Sequence, residues 1–222
     1  ELIALRLGDK DDDLLIRSTI EGTTTVWAGG SSDDGKDVIN IVSISGTTTI
    51  LGEDGKDVIG VNYDRSGQTG YSGIASALEV KGNNGSDEYL IGLSATNTAT
   101  IEINDAADSD DGGIDSVQIF GNNDDNLFLF RANSKETAVR KAFVASYEVN
   151  DDLSPVLGGF FERVNYNSEI EAISVNGRSG NDTFVFDDTL SMLNVYGGKG
   201  DDSFQLGQVF ESARDDMNPT NG

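Results

Sequence analysis

The sequence has no cysteine and no histidine, and only two prolines in 222 residues. Without cysteine there are no disulfides and no thiolate metal sites. Without histidine there is no Ser-His-Asp triad, no imidazole general base and no His-ligated zinc. Basic residues are also scarce: 15 Lys plus Arg face 39 Asp plus Glu, giving a formal charge of −24 and a pI near 4.1. A field of that sign repels nucleic acid and anionic lipid and attracts cations. No nucleic-acid partner and no membrane insertion are therefore expected, whereas a neutralising cation is. No apolar run approaches the ~20 residues of a membrane-spanning helix. The chain opens at Glu1 with no leader, so it is read as a processed product or a piece of something longer.

Glycine is abundant, at 27 residues, and it recurs in a pattern. The stretch "IEGTTTVWAGGSSDDGKDVINI" is echoed by "ISGTTTILGEDGKDVIGV". With "GGKGDDSFQL" from Gly197 as a template, six further ten-residue segments fit, starting at Gly8, Ser32, Gly52, Gly82, Gly121 and Gly177. Their sixth residues are Asp13, Asp37, Asp57, Asp87, Asn126, Asp182 and, in the template, Asp202. The eighth residues did not guide the alignment, yet all are apolar or aromatic: Leu15, Ile39, Ile59, Tyr89, Phe128, Phe184 and Phe204. Apolar residues also lie two positions before the first glycine, as at Ile50, Val80, Ile119, Val175 and Val195. Each unit thus reads as strand, glycine-acid turn, strand, with alternate side chains facing a core.

Repetition at this spacing implies stacked coils, because one such unit cannot bury its apolar face alone. The expected fold is all-β, a right-handed parallel β-solenoid of the β-roll or β-helix kind, over residues 1–210. Surface loops are expected at 62–73, 104–113 and 131–168, with a polar tail at 211–222. The insertion at 131–168 holds Arg131, Lys135, Arg140, Lys141 and Arg163, and is expected to be a hairpin or short helix packed on the solenoid. Glycines let turn carbonyls converge, and the sixth-position carboxylate adds charge at the same place. Oxygen-only coordination suits a hard cation, and irregular geometry favours calcium over magnesium.

These turns resemble the calcium-binding nonapeptides of the repeats-in-toxin (RTX) family, GGxGxDxUx with U a large apolar residue. The segment "GGKGDDSFQ" at Gly197–Gln205 matches every defined position. The resemblance implies a parallel β-roll whose first six repeat residues bind calcium through backbone carbonyls and the aspartate. The implied carboxylates are Asp13, Asp37, Asp57, Asp87, Asp182 and Asp202. The implied turn residues are Gly52 and Asp54, Gly82 and Asn84, Gly177 and Gly180, and Gly197, Lys199 and Gly200. Only one copy here has the double glycine, and the motif falls once per coil. One ladder of calcium sites is therefore expected, weakest at Asn126.

The function expected is that of a calcium-binding structural or adhesive module of a larger secreted or surface bacterial protein, not an enzyme. Neighbouring modules or cell-surface glycans are its candidate partners. A polysaccharide lyase or hydrolase on a parallel β-helix is the alternative. An ice- or glycan-binding solenoid, suggested by Thr23–Thr25 and Thr47–Thr49, is the third.

Overall fold

Alternating apolar and polar residues with almost no proline favour strands. The computed structural model describes residues 1–30, 35–63, 73–94, 98–105, 113–132, 140–147, 156 and 159–207. Among them are nineteen strands and no helix. A ten-stranded sheet contains β1 (Leu2–Arg6), β3 (Thr23–Trp27), β6 (Thr48–Gly55), β9 (Leu78–Gly85), β11 (Thr98–Ile103), β13 (Leu127–Ala132), β14 (Lys141–Tyr147), β15 (Phe161–Asn167), β17 (Thr183–Phe186) and β19 (Ser203–Leu206). A seven-stranded sheet contains β2 (Asp13–Ile16), β4 (Val38–Ile41), β7 (Val58–Val61), β10 (Glu88–Gly92), β12 (Asp115–Phe120), β16 (Ile170–Asn176) and β18 (Met192–Tyr196). The short strands β5 (Ser43–Ile44) and β8 (Gly73–Ile74) pair with each other.

From β1 to β13 the chain passes back and forth between the two large sheets, visiting the short pair on the way. Among the described residues, all strand pairs are parallel except the two made by β14. Parallel register puts like residues above one another. In the seven-stranded sheet one column runs Leu14, Ile39, Ile59, Tyr89, Val117, Ile173 and Leu193. In the larger sheet Val26, Ile50, Val80, Ile103 and Tyr166 form another. Buried members of both columns belong to one apolar cluster, so the sheets share a core. Aromatic stacking continues it: Phe128, Phe184 and Phe204 lie ring over ring at 5.0 Å, and Phe130 lies over Phe186 at 4.6 Å. Each such pair contributes ~0.5–1.5 kcal/mol beyond its buried area.

In the stretch 131–168, β14 and β15 form an antiparallel pair, in line with the hairpin that was one of its two expected forms. They lie, however, within the main sheet instead of packing on it as a surface insertion. Arg131 is the next-to-last residue of β13, and β14 and β15 are full members of the ten-stranded sheet, placed between β13 and β11. The inward set Ala142, Val144, Val164 and Tyr166 is buried in the core. Outward, Arg163 stacks on the Phe143 ring at 4.1 Å, and Arg131 pairs with Asp187 at 3.3 Å. Lys141 reaches Glu102 at 3.7 Å. Arg131, Lys141 and Arg163 are thus outward residues of ordinary strands. Lys135, most of the loops at 62–73 and 104–113, and the tail at 211–222 lie outside the described residues. The threonine rows pair as Thr24 with Thr48 and Thr25 with Thr49, and the second row continues as Glu79 and Glu102.

Candidate metal centre

The acidic turns fall on two edges of the molecule. Those before β2, β4, β7 and β10 carry the chain from the ten-stranded sheet to the seven-stranded one. Those before β13, β17 and β19 carry it back, and so lie at the opposite edge. The single expected ladder is therefore two shorter ones. A strand–turn–strand repeat reads the same whichever sheet comes first, so spacing alone does not reveal the switch.

Within each ladder, a sixth-position carboxylate accepts a hydrogen bond from the backbone N–H of its counterpart in the preceding turn. Asp37 Oδ1 accepts from Asp12 N at 2.7 Å, Asp57 Oδ1 from Asp37 N at 2.9 Å, and Asp87 Oδ1 from Asp57 N at 2.8 Å. At the other edge Asp182 Oδ1 accepts from Asn126 N at 2.9 Å, and Asp202 Oδ1 from Asp182 N at 3.0 Å. Hydrogen bonds to a charged acceptor contribute ~1.5–3 kcal/mol each. Asp37, Asp57, Asp87, Asn126 and Asp182 are all buried.

The glycines make this stacking possible. A Cβ at Gly52, Gly177 or Gly197 would stand 2.2 Å from Oδ2 of Asp57, Asp182 or Asp202, and at Gly82 1.8 Å from Oδ2 of Asp87. The first glycine thus clears room for the second carboxylate oxygen. Gly85 and Gly200, in the fourth position, have φ of 136° and 126°. A Cβ there would lie 1.5 Å and 1.9 Å from the carbonyl oxygens of Gly55 and Gly180 one turn away. The second position is also left-handed, with φ of 75° at Glu53, 70° at Asn83, 76° at Arg178 and 108° at Gly198. That conformation is what a double glycine would relieve. Third-position groups bridge turns: Asn84 Nδ2 donates to Asp54 Oδ1 at 2.7 Å, and the Lys199 carbonyl accepts from Gly180 N at 2.9 Å.

One assigned carboxylate is displaced by a residue. Asp13 pairs with Val38, in the seventh position, and is exposed. Asp12 takes the sixth place, its carbonyl accepting from Val38 N at 2.9 Å. The frame slips because Leu7, not Gly8, follows the paired residue Arg6, as Gly52 follows Leu51.

Two further carboxylates belong to the first ladder. Ile103 pairs with Val80, which sets Asp105 level with Gly82, and Ser116 pairs with Glu88, which sets Asp115 level with Asp87. Asp115 Oδ1 accepts from Asp87 N at 2.8 Å, extending the ladder by one step. The signal was present in "IDSVQI", where apolar Val117 and Ile119 follow the aspartate at the usual offsets. The longer stretch between Asp105 and Asp115 hid it.

Asp87, Asp105 and Asp115 are buried, and each offers a carboxylate oxygen within 4.8 Å of the others. Asp105 accepts from Asn83 N through Oδ1 and from the Tyr89 hydroxyl through Oδ2, both at 2.9 Å. The Tyr89 oxygen in turn accepts from Gly82 N at 2.6 Å. Burial, joined by the charges of Asp105, Asp57 and Asp115, pushes the Asp87 carboxyl up to about 8. Burial and then the Asp105 charge push Asp115 up to about 8. On the other edge, burial with the charges of Asp202 and Asp125 raises Asp182 to about 6. Such shifts mark sites short of positive charge. The buried Oδ2 atoms of Asp87 and Asp182 have no hydrogen-bond partner. The three clustered carboxylates could hold a metal ion, and hard oxygen donors favour a hard cation. Comparison of the chain with family models, with curated proteins and with solved structures finds no match in any of the three.

Proposed function

We propose that the chain is a calcium-loaded, right-handed parallel β-solenoid acting as a structural or adhesive module of a larger secreted or surface bacterial protein. One observation carries the reading: on each edge a buried carboxylate uses Oδ1 to cap the neighbouring turn and leaves Oδ2 without a hydrogen-bond partner, at Asp87 and at Asp182. Burying half-satisfied carboxylates in rows costs stability unless a cation completes them. Asp37, Asp57, Asp87, Asp182 and Asp202, with turn carbonyls, are the residues that would hold calcium. Bound there, calcium supplies positive charge and oxygen coordination between stacked turns. Five occupied turns would add 5 × (+2) = +10 to a net charge of −24.

This use of the turns is the one implied by the likeness to the repeats-in-toxin nonapeptides. A location outside the cell follows from the same reading, because millimolar calcium is available there to weak sites. The outermost described strands support neighbouring modules as partners. Leu2 and Ile3 on β1, and Phe204 and Leu206 on β19, are exposed apolar residues on sheet edges. Calcium titration of the chelated protein, followed by calorimetry and circular dichroism, tests the proposal. Several equivalents bound with a gain of β signal are expected. No heat and no spectral change up to millimolar calcium would refute it.

A further inference from the structure

We infer that Asp87, Asp105 and Asp115 form a cation centre of their own, built differently from the other turns and holding one calcium-like ion between two successive strand pairs. In the turns of Asp57, Asp182 and Asp202 the first position is a glycine that makes room for one carboxylate oxygen, at Gly52, Gly177 and Gly197. Where β11 pairs with β9, the residue level with Gly82 is Asp105, which brings in a third carboxylate. The ladder steps alone supply only two carboxylates to any one place.

The geometry fits one ion. Two oxygens bound to the same calcium lie at most ~5 Å apart, twice the 2.3–2.6 Å bond length. The three carboxylates meet this limit, with oxygens within 4.8 Å of one another. A second, independent feature points the same way. Asp87 is 1% exposed, yet its Oδ2 has no hydrogen-bond partner. Neutral donors reach all three members of the cluster: Asp57 N to Asp87, Asp87 N to Asp115, and Asn83 N and the Tyr89 hydroxyl to Asp105. They orient the carboxylates without cancelling their charge. Asp87 and Asp105 belong to turns anchored on β9 and β11, and Asp115 opens β12, so a bound ion clamps two strand pairs together.

The centre shares the proposed function's choice of ion, but it does not require the other turns to bind. Terbium is a suitable probe, having calcium's preference for oxygen and an emission that a nearby tyrosine sensitises. Tyr89 is placed to do so, with its hydroxyl 2.9 Å from Asp105. The experiment titrates terbium into wild type, Asp105→Gly, Asp105→Asn, Tyr89→Phe and Asp182→Asn, with calcium as competitor. Asp105→Gly introduces the glycine of those three turns, and Asp105→Asn keeps the side-chain shape, so at least one should fold, as circular dichroism will show. Both should lose one equivalent, or about tenfold or more in affinity at one site, together with most of the sensitised emission. Tyr89→Phe should lose emission but keep the equivalents. Asp182→Asn should leave the Tyr89-sensitised emission unchanged. Binding and emission in both Asp105 variants equal to wild type would overturn the inference. A single wild-type equivalent that both variants abolish would uphold this centre while refuting the calcium ladders.

Discussion

A sixth-position aspartate does two things at once, capping a neighbour's N–H and carrying charge into a buried turn. The two roles separate by mutation. Asp57→Asn keeps this acceptor for Asp37 N, whereas Asp57→Ala removes it. In chelator, the alanine variant should lose ~1–3 kcal/mol more than the asparagine variant in a urea unfolding titration. Equal losses would show that the cap is not stabilising. The titration behaviour has a definite sign. Asp87 and Asp115 at about 8 and Asp182 at about 6 all lie above an unfolded aspartate near 4. The metal-free folded state therefore binds more protons than the unfolded state between pH ~4 and ~8, and its stability falls as pH rises through that window. Melting temperature in chelator should drop from pH 4.5 to 8.5, and a rise over that range would contradict the assignment. The sequence displayed most of these residues, because their periodic apolar neighbours betray them. Asp12, and Asp105 together with Asp115, were obscured because a one-residue slip and a longer turn each break the spacing while leaving the pairing intact.

Turns and strands were unequally legible. The glycine-acid motif located strand–turn–strand units well, since few other residues tolerate a left-handed turn packed against the next one. Gly85→Ala should be severely destabilising, by more than about 2 kcal/mol, because its φ is 136° and its Cβ would meet a backbone oxygen at 1.5 Å. Gly30→Ala, whose nearest contact is 3.1 Å from the end of the Asp9 side chain, should be close to neutral. Chemical denaturation of both variants checks this, and similar losses would mean that the turns do not stack tightly. A hairpin or short helix was legible over 131–168, but not that β14 and β15 join the main sheet between β13 and β11. Their outward positions hold Lys141 and Arg163 beside Phe143 and Tyr147, a mix that does not reveal which sheet the strands join. Only cross-strand partners, such as Arg163 on Phe143, make those residues ordinary members of a sheet face. The move of the turns from one edge to the other was likewise hidden, since it depends on which sheet receives each strand.

For the whole molecule, the two ladders run through a chain of net charge −24. Carboxylates ~5 Å apart repel by roughly 0.8 kcal/mol even in water and by more when partly buried. Summed over the rows, that repulsion rivals a domain's stability of ~5–15 kcal/mol. Screening by monovalent salt weakens the repulsion but supplies no ligands, so it should restore only part of the stability. Magnesium should restore less than calcium, because it demands a tighter octahedron and releases its waters reluctantly. Thermal melts in chelator, in chelator with high sodium chloride, in magnesium and in calcium test the central claim, that the turns are built around a cation. The expected order of melting temperature is calcium highest, then magnesium, with chelator at low salt lowest and sodium chloride raising that value only partway to calcium's. The same melting temperature in all four would contradict it.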